Sequence, residues 1–569
     1  MEKRWVLCHL DADRSNSLSG QLGISSLTAQ VLVNRGVCEP ESARAFLDPS
    51  LADMHDPGQL KGIKEAVVRI EASIVKKEQI TVYGDYDVDG TTSTALLVLF
   101  LRELGSECNY YIPDRMKEGY GLNSDAVKSL ASAGTRLIIT VDNGISSYDE
   151  TALASSLGMD IIITDHHHLP DKTPPALAVI NPQQDDCPYH FKALAGVGVA
   201  FNLIAALRTH LREKGYWNRK KEPNLRKYFD LAALGTIADI VPLLETNRLF
   251  AHFGLKELTA STRPGIMALK RVSGIDDGEI NAGKVGFQLA PRLNAAGRLS
   301  TADMGVKLLM TVDDREAREL AEKLDHENRE RRAIEKEIFE DALAILEKQG
   351  TDRLSSIVLA SEKWHPGVIG IVASRLVERY YLPTLLISIK DGEGKGSARS
   401  IAAFHLFEGL KECSSHLLGF GGHKYAAGFS IKEDKIKGFA EAFDSVVHKT
   451  LEPEDFTPSL KIDATLDLSD IDDKLVSDLE KMLPFGPSNP EPVFLSEDIE
   501  VKEAIILKDT HLKMKLDCAG TTFDGIAFNM KDKGIKTGDR VSIVFSPRFN
   551  LWRGRRSIQL NIKDIRNQA

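Results

Sequence analysis

From Ile80 onward, the sequence alternates short, continuous apolar runs with stretches that have the length and composition of helices. The apolar runs are Ile80–Tyr83, Leu137–Val141, Ile161–Thr164 and Ala178–Ile180. Helices are expected at Thr92–Leu104 and Ser147–Leu157. Strands without polar alternation are typical of parallel sheets, because helices cover both faces of such sheets. The pattern therefore predicts an α/β fold built on a parallel sheet.

A chain of 569 residues exceeds what one hydrophobic core usually supports, so several domains are expected. Near the end of the chain, His511–Asp517 and Arg540–Phe545 alternate polar and apolar residues, which is typical of a small β-barrel. We expect an N-terminal helical segment at 1–75, a catalytic α/β domain at 76–300, a connecting helix at 301–350, a smaller α/β domain at 351–452 and the barrel at 455–569.

Composition narrows the class of protein. The sequence contains no run of about 18 apolar residues, so no membrane span is expected. The six cysteines are scattered singly, without the spacing of a zinc site or a disulfide framework, which favours the cytoplasm. The formal net charge of -10 is unusual for a nucleic-acid-binding protein. Either nucleic acid is not the substrate, or basic groups are local and a carboxylate-rich metal site supplies part of the acidity.

Acidic and histidine residues directly follow three of the apolar runs. The clusters are Asp85-Tyr86-Asp87-Val88-Asp89-Gly90, Asp142-Asn143-Gly144 and Asp165-His166-His167-His168. Parallel strands place such turns at one carboxyl edge of the sheet, where open α/β folds have their sites. Carboxylates that meet there repel one another unless cations neutralise them. Oxygen ligands with one or two imidazoles suit magnesium or manganese better than zinc.

Three other interpretations of these clusters compete with a metal site. The series Asp85, Asp87, Asp89 opens like an EF-hand calcium loop, but Leu96 stands where that loop needs a glutamate. Asp142 alone could be a helix N-cap, although three such clusters at three strand ends make that explanation insufficient. The segment from Asp87 also resembles the first motif of haloacid-dehalogenase-type phosphatases, in which that aspartate is a nucleophile. That alternative leaves the later Asp-His-His cluster unexplained.

Together the motifs resemble those of the DHH phosphoesterase superfamily. The four motifs occur in order: Asp85-x-Asp87-x-Asp89-Gly90, Val141-Asp142-Asn143-Gly144, Asp165-His166-His167 and Gly235-Thr236-Ile237-Ala238-Asp239. Two later motifs are similar to the associated DHHA1 domain, Ser397-Ala398-Arg399-Ser400 and Gly421-Gly422-His423. The segment Arg292–Arg298, the long connector and the terminal barrel resemble RecJ-type single-strand-specific exonucleases. The resemblance spans nearly the whole chain.

This resemblance implies a 5′-to-3′ exonuclease for single-stranded DNA that releases mononucleotides by two-metal-ion catalysis in DNA repair and recombination. The two divalent cations are expected to be Mn²⁺ by preference, or Mg²⁺. Their implied ligands are Asp87, Asp89, Asp142, His166 and Asp239, with Asp142 bridging. Asp85 is expected to be a ligand or to orient one. His167, Arg399 and His423 are the implied catalytic partners of the phosphoryl oxygens.

Further residues are expected to bind the DNA strand. The resemblance implies such roles for Arg115, Arg292, Asn294, Arg298, Ser397, Arg399 and His423, with Arg115 at the 5′ phosphate. Near the chain end, arginines interleave with aromatics in a manner that suits an unpaired strand, at Phe549, Trp552, Arg553 and Arg555. The alternative is a basic hairpin whose aromatic residues belong to the barrel core.

The expected partners are single-stranded DNA, a single-strand DNA-binding protein and a helicase, with no membrane and a monomeric chain. The competing function is another DHH phosphodiesterase that acts on oligoribonucleotides or cyclic dinucleotides. The terminal barrel and its arginine-aromatic run argue against it, because a small substrate needs no extended groove.

Overall fold

The computed structural model describes residues 2–115, 117–119, 121–218, 220–275, 278–350, 354–552 and 554–568, without the side chains of Gln349 and Trp552. The chain divides into two compact units. The larger comprises Leu7–Asp325 and Ile462–Ala569, and the smaller comprises Met1–Val6 and His326–Lys461. Among the helices of the described residues, none is both long and apolar enough to cross a membrane.

Short helices precede the central sheet of the larger unit. Strand β1 (Arg4–Leu7) is followed by α1 (Ala12–Leu22), α2 (Ser26–Asn34), α3 (Pro40–Leu47) and α4 (Ile63–Lys76). Side chains explain where two of these helices begin, because Asp11 accepts a hydrogen bond from Arg14 N and Ser25 accepts one from Thr28 N.

Five parallel strands form the central sheet, in the order β3-β2-β4-β5-β6. They are β2 (Ile80–Tyr83), β3 (Cys108–Tyr111), β4 (Leu137–Val141), β5 (Asp160–Thr164) and β6 (Ala178–Ile180), with α5 (Val88–Glu103), α6 (Ser124–Ser132) and α7 (Tyr148–Ser156) between them. Strands β2 and β4 are buried along their whole length, which explains why they lack polar alternation. The predicted parallel α/β sheet is confirmed.

Helices that follow β6 share the hydrophobic core of this sheet. They are α8 (Gly196–Glu213), α9 (Phe229–Ala238), α10 (Glu245–Ala260), α11 (Pro264–Val272), α12 (Ala282–Lys284), α13 (Ala290–Leu299) and α14 (Asp303–Met310), and a π-helical turn at Val285–Leu289 joins α12 to α13. The long helix α15 (Asp314–Gln349) begins in the larger unit and ends in the smaller one.

The smaller unit contains a second α/β fold. Its elements are β7 (Ile357–Ser361), α16 (Ile369–Tyr380), β8 (Thr384–Lys390), β9 (Glu393–Arg399), α17 (Leu406–Glu412), β10 (Leu417–Gly422), β11 (Ala426–Lys432) and α18 (Ile436–Thr450), and β12 (Ser459–Ile462) pairs with β1. The sheet has the order β10-β11-β9-β8-β7. Only β7 and β8 are parallel in this five-stranded sheet, and its other neighbours are antiparallel.

The last part of the larger unit is the predicted barrel. Its elements are β13 (Ala464–Thr465), α19 (Asp473–Glu480), β14 (Phe494–Leu507), β15 (His511–Cys518), β16 (Thr521–Ala527), β17 (Arg540–Trp552) and β18 (Arg555–Asn567). The order β14-β15-β16-β18-β17 closes on itself because β14 also pairs with β17. Residues of the first three helices, including Leu18, Leu32 and Phe46, belong to the same hydrophobic core as barrel residues such as Phe545.

Candidate metal centre

The turns after β2, β4 and β5 bring the acidic and histidine motifs together. These strands are parallel neighbours, so the turns that follow them lie side by side at the carboxyl edge of the sheet. The turns carry Asp85 and Asp87, Asp142, and Asp165 with His166, in strand order. A further carboxylate comes from Asp239, the C-cap residue directly after α9.

His166 lies close to three of these carboxylates. Its Nε2 atom is 3.1 Å from Asp142 Oδ1, 3.7 Å from Asp239 Oδ2 and 4.0 Å from Asp89 Oδ2. Burial and the charge of the neighbouring His167 lower the pKa of His166 to about 4. The imidazole is therefore neutral near pH 7, which is the form that binds a metal ion.

The potential ligand atoms form three overlapping groups, and within each group all atoms lie within 4.8 Å of one another. The groups are Asp89–His166–Asp239, Asp85–Asp87–Asp142 and Asp142–His166–His167. Asp142 belongs to two groups, as a residue that bridges two cations must. The structure thus brings together the five ligands that the family resemblance implies, and it places Asp85 and His167 in the same cluster.

These carboxylates repel one another when no cation is bound. Burial, followed by the charge of Asp87, raises the pKa of Asp89 to about 7. Burial and the charges of neighbouring aspartates likewise raise the pKa values of Asp85, Asp142 and Asp239. Within the described part of the chain, buried atoms of the cluster that make no hydrogen bond of acceptable geometry include Asp85 Oδ1, His166 Nε2 and Asp239 Oδ2. A dense set of carboxylate oxygens, more numerous than the imidazoles, is what Mn²⁺ and Mg²⁺ prefer. The residues present therefore fit these two ions.

The start of α8 holds Asp89 in place. Gly196 N donates to Asp89 Oδ2 at 2.6 Å, and Val197 N donates to Oδ1 at 2.9 Å. A Cβ atom on Gly196 would lie 2.8 Å from Asp142 Cβ, so only glycine allows the helix to approach both carboxylates. The motifs do not predict this contact, and the available signal was the glycine pair Gly196 and Gly198 at the start of an apolar helix.

The backbone of Asp142 is strained. Its φ angle of 62° lies in the left-handed region, which non-glycine residues adopt rarely and often at functional sites. The neighbouring Asn143 maintains this turn, because its Nδ2 donates to Tyr83 O at 3.2 Å and to Val141 O at 2.9 Å. These two carbonyls end β2 and β4, so one amide fixes the two strand ends that carry the acidic motifs.

Asp165 orients His167 and is not itself grouped with the ligands among the described residues. Asp165 Oδ1 lies 2.7 Å from His167 Nδ1 and accepts hydrogen bonds from the backbone N–H groups of His166 and His167. Burial alone would lower the pKa of His167, but the hydrogen bond to Asp165 and its charge outweigh burial and raise it. His167 can therefore act through Nε2 as a cationic donor near the carboxylates.

Arg115 and Arg298 lie near the loop that carries Asp85 and Asp87. The Arg115 Cζ atom is 4.9 Å from the centre of the Tyr86 ring, and its charge opposes the raised pKa of Asp85. Burial and the charge of Asp85 raise the pKa of Tyr86 to about 12, while the charges of Arg115 and Arg298 act in the opposite direction. Both arginines thus lie at the metal-centre side of the larger unit.

Arg292 and Asn294 have internal partners that give them supporting roles. Arg292 donates to Asp325 Oδ1 at 2.9 Å and to the carbonyls of Gln288 and Val272. Asn294 Oδ1 accepts a hydrogen bond from Val88 N at 3.1 Å, which ties α13 to the start of α5. Contact of these two residues with substrate stays a prediction.

Ser397 and Arg399 lie two residues apart on β9 of the smaller unit. Arg399 Nη1 donates to Ala398 O at 2.7 Å and to Ser397 Oγ at 3.3 Å. A Cβ atom on Gly370 would lie 2.7 Å from Ser397 Oγ, so α16 passes these residues closely. His423 follows β10, and its N–H donates to Ala426 O. The roles of Ser397, Arg399 and His423 toward substrate stay predictions.

The described part of the arginine-aromatic run lies at the end of β17 and the start of β18. Phe549 packs partly against the barrel core, and the Arg556 Cζ atom is 3.4 Å from the centre of its ring. Arg555 and Arg556 are exposed. Arg556 was not among the expected residues, although it belongs to the same basic run. Arg553 lies outside the described residues, as does the side chain of Trp552.

Family models match three parts of the chain. Residues 79–236 match the DHH family N-terminal domain, residues 354–449 match the DHHA1 domain, and residues 462–564 match the RecJ OB domain. The first match contains the strand ends that carry the acidic motifs, and the third contains the barrel.

Several relatives resemble the chain over nearly all of its length. The single-stranded-DNA-specific exonuclease RecJ of Bacillus subtilis (strain 168) is 43% identical over 99% of this chain and 70% of that protein. The corresponding Escherichia coli (strain K12) protein is 38% identical, over 99% of this chain and 100% of that protein. The crystal structure of Thermus thermophilus RecJ in complex with Mn²⁺ matches with a TM-score of 0.84 and 31% identity, covering 100% of this chain and 80% of that chain. The chain belongs to the RecJ family of single-stranded-DNA-specific exonucleases.

Proposed function

We propose that this protein hydrolyses single-stranded DNA from its 5′ end and releases mononucleotides, with two divalent cations, Mn²⁺ or Mg²⁺. The observation that carries the proposal is a buried cluster of linked ligand groups. Asp142 belongs to one group with Asp85 and Asp87 and to another with His166, and His166 also belongs to the group of Asp89 and Asp239. One cation would be held by Asp89, His166 and Asp239 together with Asp142. The other would be held by Asp87 and Asp142, with Asp85 as a further ligand or an orienting partner.

When bound, such cations neutralise the carboxylates, lower the pKa of a bound water and stabilise charge on the phosphoryl oxygens. The chain contributes the geometry. The start of α8 fixes Asp89, and Asp142 lies in a left-handed turn with its carboxylate in the cluster. His166 remains neutral because burial lowers its pKa.

His167 is the proposed donor to the scissile phosphate. Asp165 holds its Nδ1 and raises its pKa, so a larger share of the imidazole is protonated than at an ordinary histidine. A cationic N–H beside the carboxylate cluster can stabilise negative charge that develops on the phosphoryl group. The family resemblance supports the same role, donation to the phosphoryl oxygens, for Ser397, Arg399 and His423.

Arg115 is the proposed partner of the 5′ phosphate, and Arg298 supports the same strand end. Arg115 lies over Tyr86 and acts electrostatically on Asp85, so it is close to the expected ligands. A cation at this position would hold a terminal phosphate while the next phosphodiester reaches the metal centre. The 5′-to-3′ polarity itself rests on the family resemblance.

The barrel is the proposed surface for the remainder of the strand. Arg555 and Arg556 are exposed on its hairpin, so they can contact phosphates although the chain as a whole is acidic. We further propose a monomer that acts in DNA repair and recombination in the cytoplasm, alongside a single-strand DNA-binding protein and a helicase. The six cysteines are free thiols, which is consistent with a reducing compartment.

The test uses DNA labelled at either end. The protein is incubated with Mn²⁺ and 5′-phosphorylated single-stranded DNA, duplex DNA, RNA or a cyclic dinucleotide, and a chelator provides the control. We expect mononucleotides only from the 5′ end of single-stranded DNA. Release from the 3′ end would contradict the polarity, and preferential cleavage of RNA or cyclic dinucleotides would indicate another DHH phosphodiesterase.

A further inference from the structure

The two backbone hydrogen bonds to Asp89 come from the start of a helix that has no capping side chain. The N-cap of α8 is Ala195, which offers no side-chain oxygen to the first turn. Both N–H groups that bind Asp89 belong to the first two residues of this helix, Gly196 and Val197. Small movements of segment 193–196 would therefore displace both hydrogen bonds at once.

Asn247, near the start of α10, holds this segment. Its side chain is fully buried. Asn247 Nδ2 donates to Ala193 O at 2.6 Å and to Pro242 O at 3.0 Å, and its Oδ1 accepts from Ala195 N at 3.4 Å. Pro242 is three residues beyond Asp239. One amide thus joins the segment that holds Asp89 to the segment that follows Asp239.

We propose that Asn247 is a positioning residue of the metal centre, which sets the distance between Asp89 and Asp239 without contacting a cation. This inference rests on the two-cation centre proposed above. Asp89 and Asp239 belong to one group of potential ligands with His166. A cation binds this group tightly only if the two carboxylates are held at a fixed separation. Residues that contact metal ligands from behind generally hold those ligands in place.

The neighbouring Arg248 fixes the start of α10, where Asn247 lies, through hydrogen bonds of its own. Arg248 is buried and donates to Phe46 O at 2.8 Å, to Met482 O at 2.9 Å and to Leu483 O at 2.9 Å. These carbonyls belong to the N-terminal helices and to the segment after α19. The start of α10 is therefore also fixed to these two segments.

The chain offers a matched control at Asn202. This asparagine is equally buried, but its Nδ2 donates to Gly198 O within its own helix, α8, and its other side-chain partner is Tyr189, which lies in neither ligand-bearing segment. Replacement of either asparagine by alanine removes a buried amide, whereas only Asn247 links the two ligand-bearing segments. The comparison separates loss of positioning from general loss of stability.

The experiment measures Mn²⁺ affinity directly in chelator-treated full-length protein, from the electron paramagnetic resonance signal of free Mn²⁺. We expect Asn247→Ala to weaken Mn²⁺ binding about 10- to 100-fold, and Asn202→Ala to leave it near the wild-type value. Excess Mn²⁺ should restore much of the exonuclease rate of Asn247→Ala. If circular dichroism shows that Asn247→Ala does not fold, Asn247→Ser takes its place.

Equal Mn²⁺ affinity in the Asn247 and Asn202 variants would overturn the inference and leave Asn247 as an ordinary buried amide. Failure of the wild-type protein to bind Mn²⁺ would instead contradict the two-cation centre itself. The two failures are thus distinguishable, because the first requires a wild-type protein that binds the ion.

Discussion

At Asp142, backbone strain and buried charge occur in the same residue. Its φ angle of 62° is unfavourable for an ordinary residue, and the residue is only 2% exposed. Burial and the charges of Asp89, Asp87 and Asp239 raise its pKa. A cation on each side of the carboxylate would offset the repulsion. An aspartate that only capped a helix would need neither this burial nor the neighbouring carboxylates.

His167 is expected to act on substrate more than on the cations. Replacement by alanine should lower the rate at saturating Mn²⁺ by about 10²- to 10⁴-fold, because a positioned proton donor is lost. The exposed neighbour His168 provides the matched control, and His168→Ala should change the rate little. Single-turnover hydrolysis of a labelled oligonucleotide measures both. A loss in His167→Ala that higher Mn²⁺ concentrations restore would make His167 a metal ligand instead.

The sequence located the centre because strand ends can be recognised locally. Asp85, Asp142 and Asp165 each follow an apolar run that the structure confirms as a strand. Local patterns cannot reveal contacts between distant segments, and so Gly196 and Asn247 were not predicted. The internal partners of Arg292 and Asn294 were hidden for the same reason.

Helix α10 connects the metal centre to the barrel segment. Asn247 contacts the segments near Asp89 and Asp239, while Arg248 contacts the carbonyls of Met482 and Leu483. Just before this helix, Leu243 N donates to Pro487 O at 2.9 Å. The start of this helix is thus held by both parts of the larger unit.

His252 makes this region sensitive to acid. Burial, followed by the charges of Lys256 and Arg248, lowers its pKa to about 4, although Leu483 O and Asp48 act in the opposite direction. Lys256 Nζ donates to His252 Nε2 at 2.8 Å, which requires an unprotonated ring nitrogen. Below pH 6.5 the unfolded chain therefore binds a proton that the folded chain does not, and stability falls toward pH 4.

Thermal unfolding between pH 7 and pH 5 tests this effect. The wild-type melting temperature should decrease more steeply with falling pH than that of His252→Gln, which has no proton to take up. Parallel decreases in the two proteins would show that His252 does not contribute.

Most strands of the central sheet match their predicted positions, and the exceptions have physical causes. Strand β3 (Cys108–Tyr111) was not predicted, because it is a partly exposed edge strand with a polar sequence. Helix α5 begins at Val88, earlier than expected, because Asp87 caps it by accepting a hydrogen bond from Gly90 N. The connecting segment contains two helices, since Asp313 caps a new one by accepting from Arg315 N and Glu316 N.

At the scale of the whole molecule, the N-terminal helices and the barrel share one hydrophobic core within the larger unit. Arg35 pairs with Asp463 at 3.1 Å, and the Arg35 side chain is only 4% exposed. Local sequence patterns do not predict this pair, because the two residues lie 428 positions apart in the chain. Deletion of the barrel would therefore expose the helices, and point substitutions are the cleaner probe of DNA binding.

The hairpin arginines provide such a probe. Arg555→Ala and Arg556→Ala should each weaken the binding of single-stranded DNA. The slope of the logarithm of the binding constant against the logarithm of the salt concentration should become less steep by about 0.7 for each lost phosphate contact. Fluorescence anisotropy in chelator, across a range of NaCl concentrations, measures both quantities. Arg540→Ala is the control, since Arg540 lies on the same barrel but pairs with Asp498 at 2.7 Å. An unchanged slope in both hairpin variants would exclude this surface.

The central claim is that the strand-end cluster holds two cations that share Asp142. Anomalous diffraction from crystals grown with Mn²⁺ tests it most directly. We predict two peaks about 3.5–4 Å apart, one beside Asp89, His166 and Asp239 and the other beside Asp87, with Asp142 between them. A single peak, or peaks away from Asp142, would contradict the account.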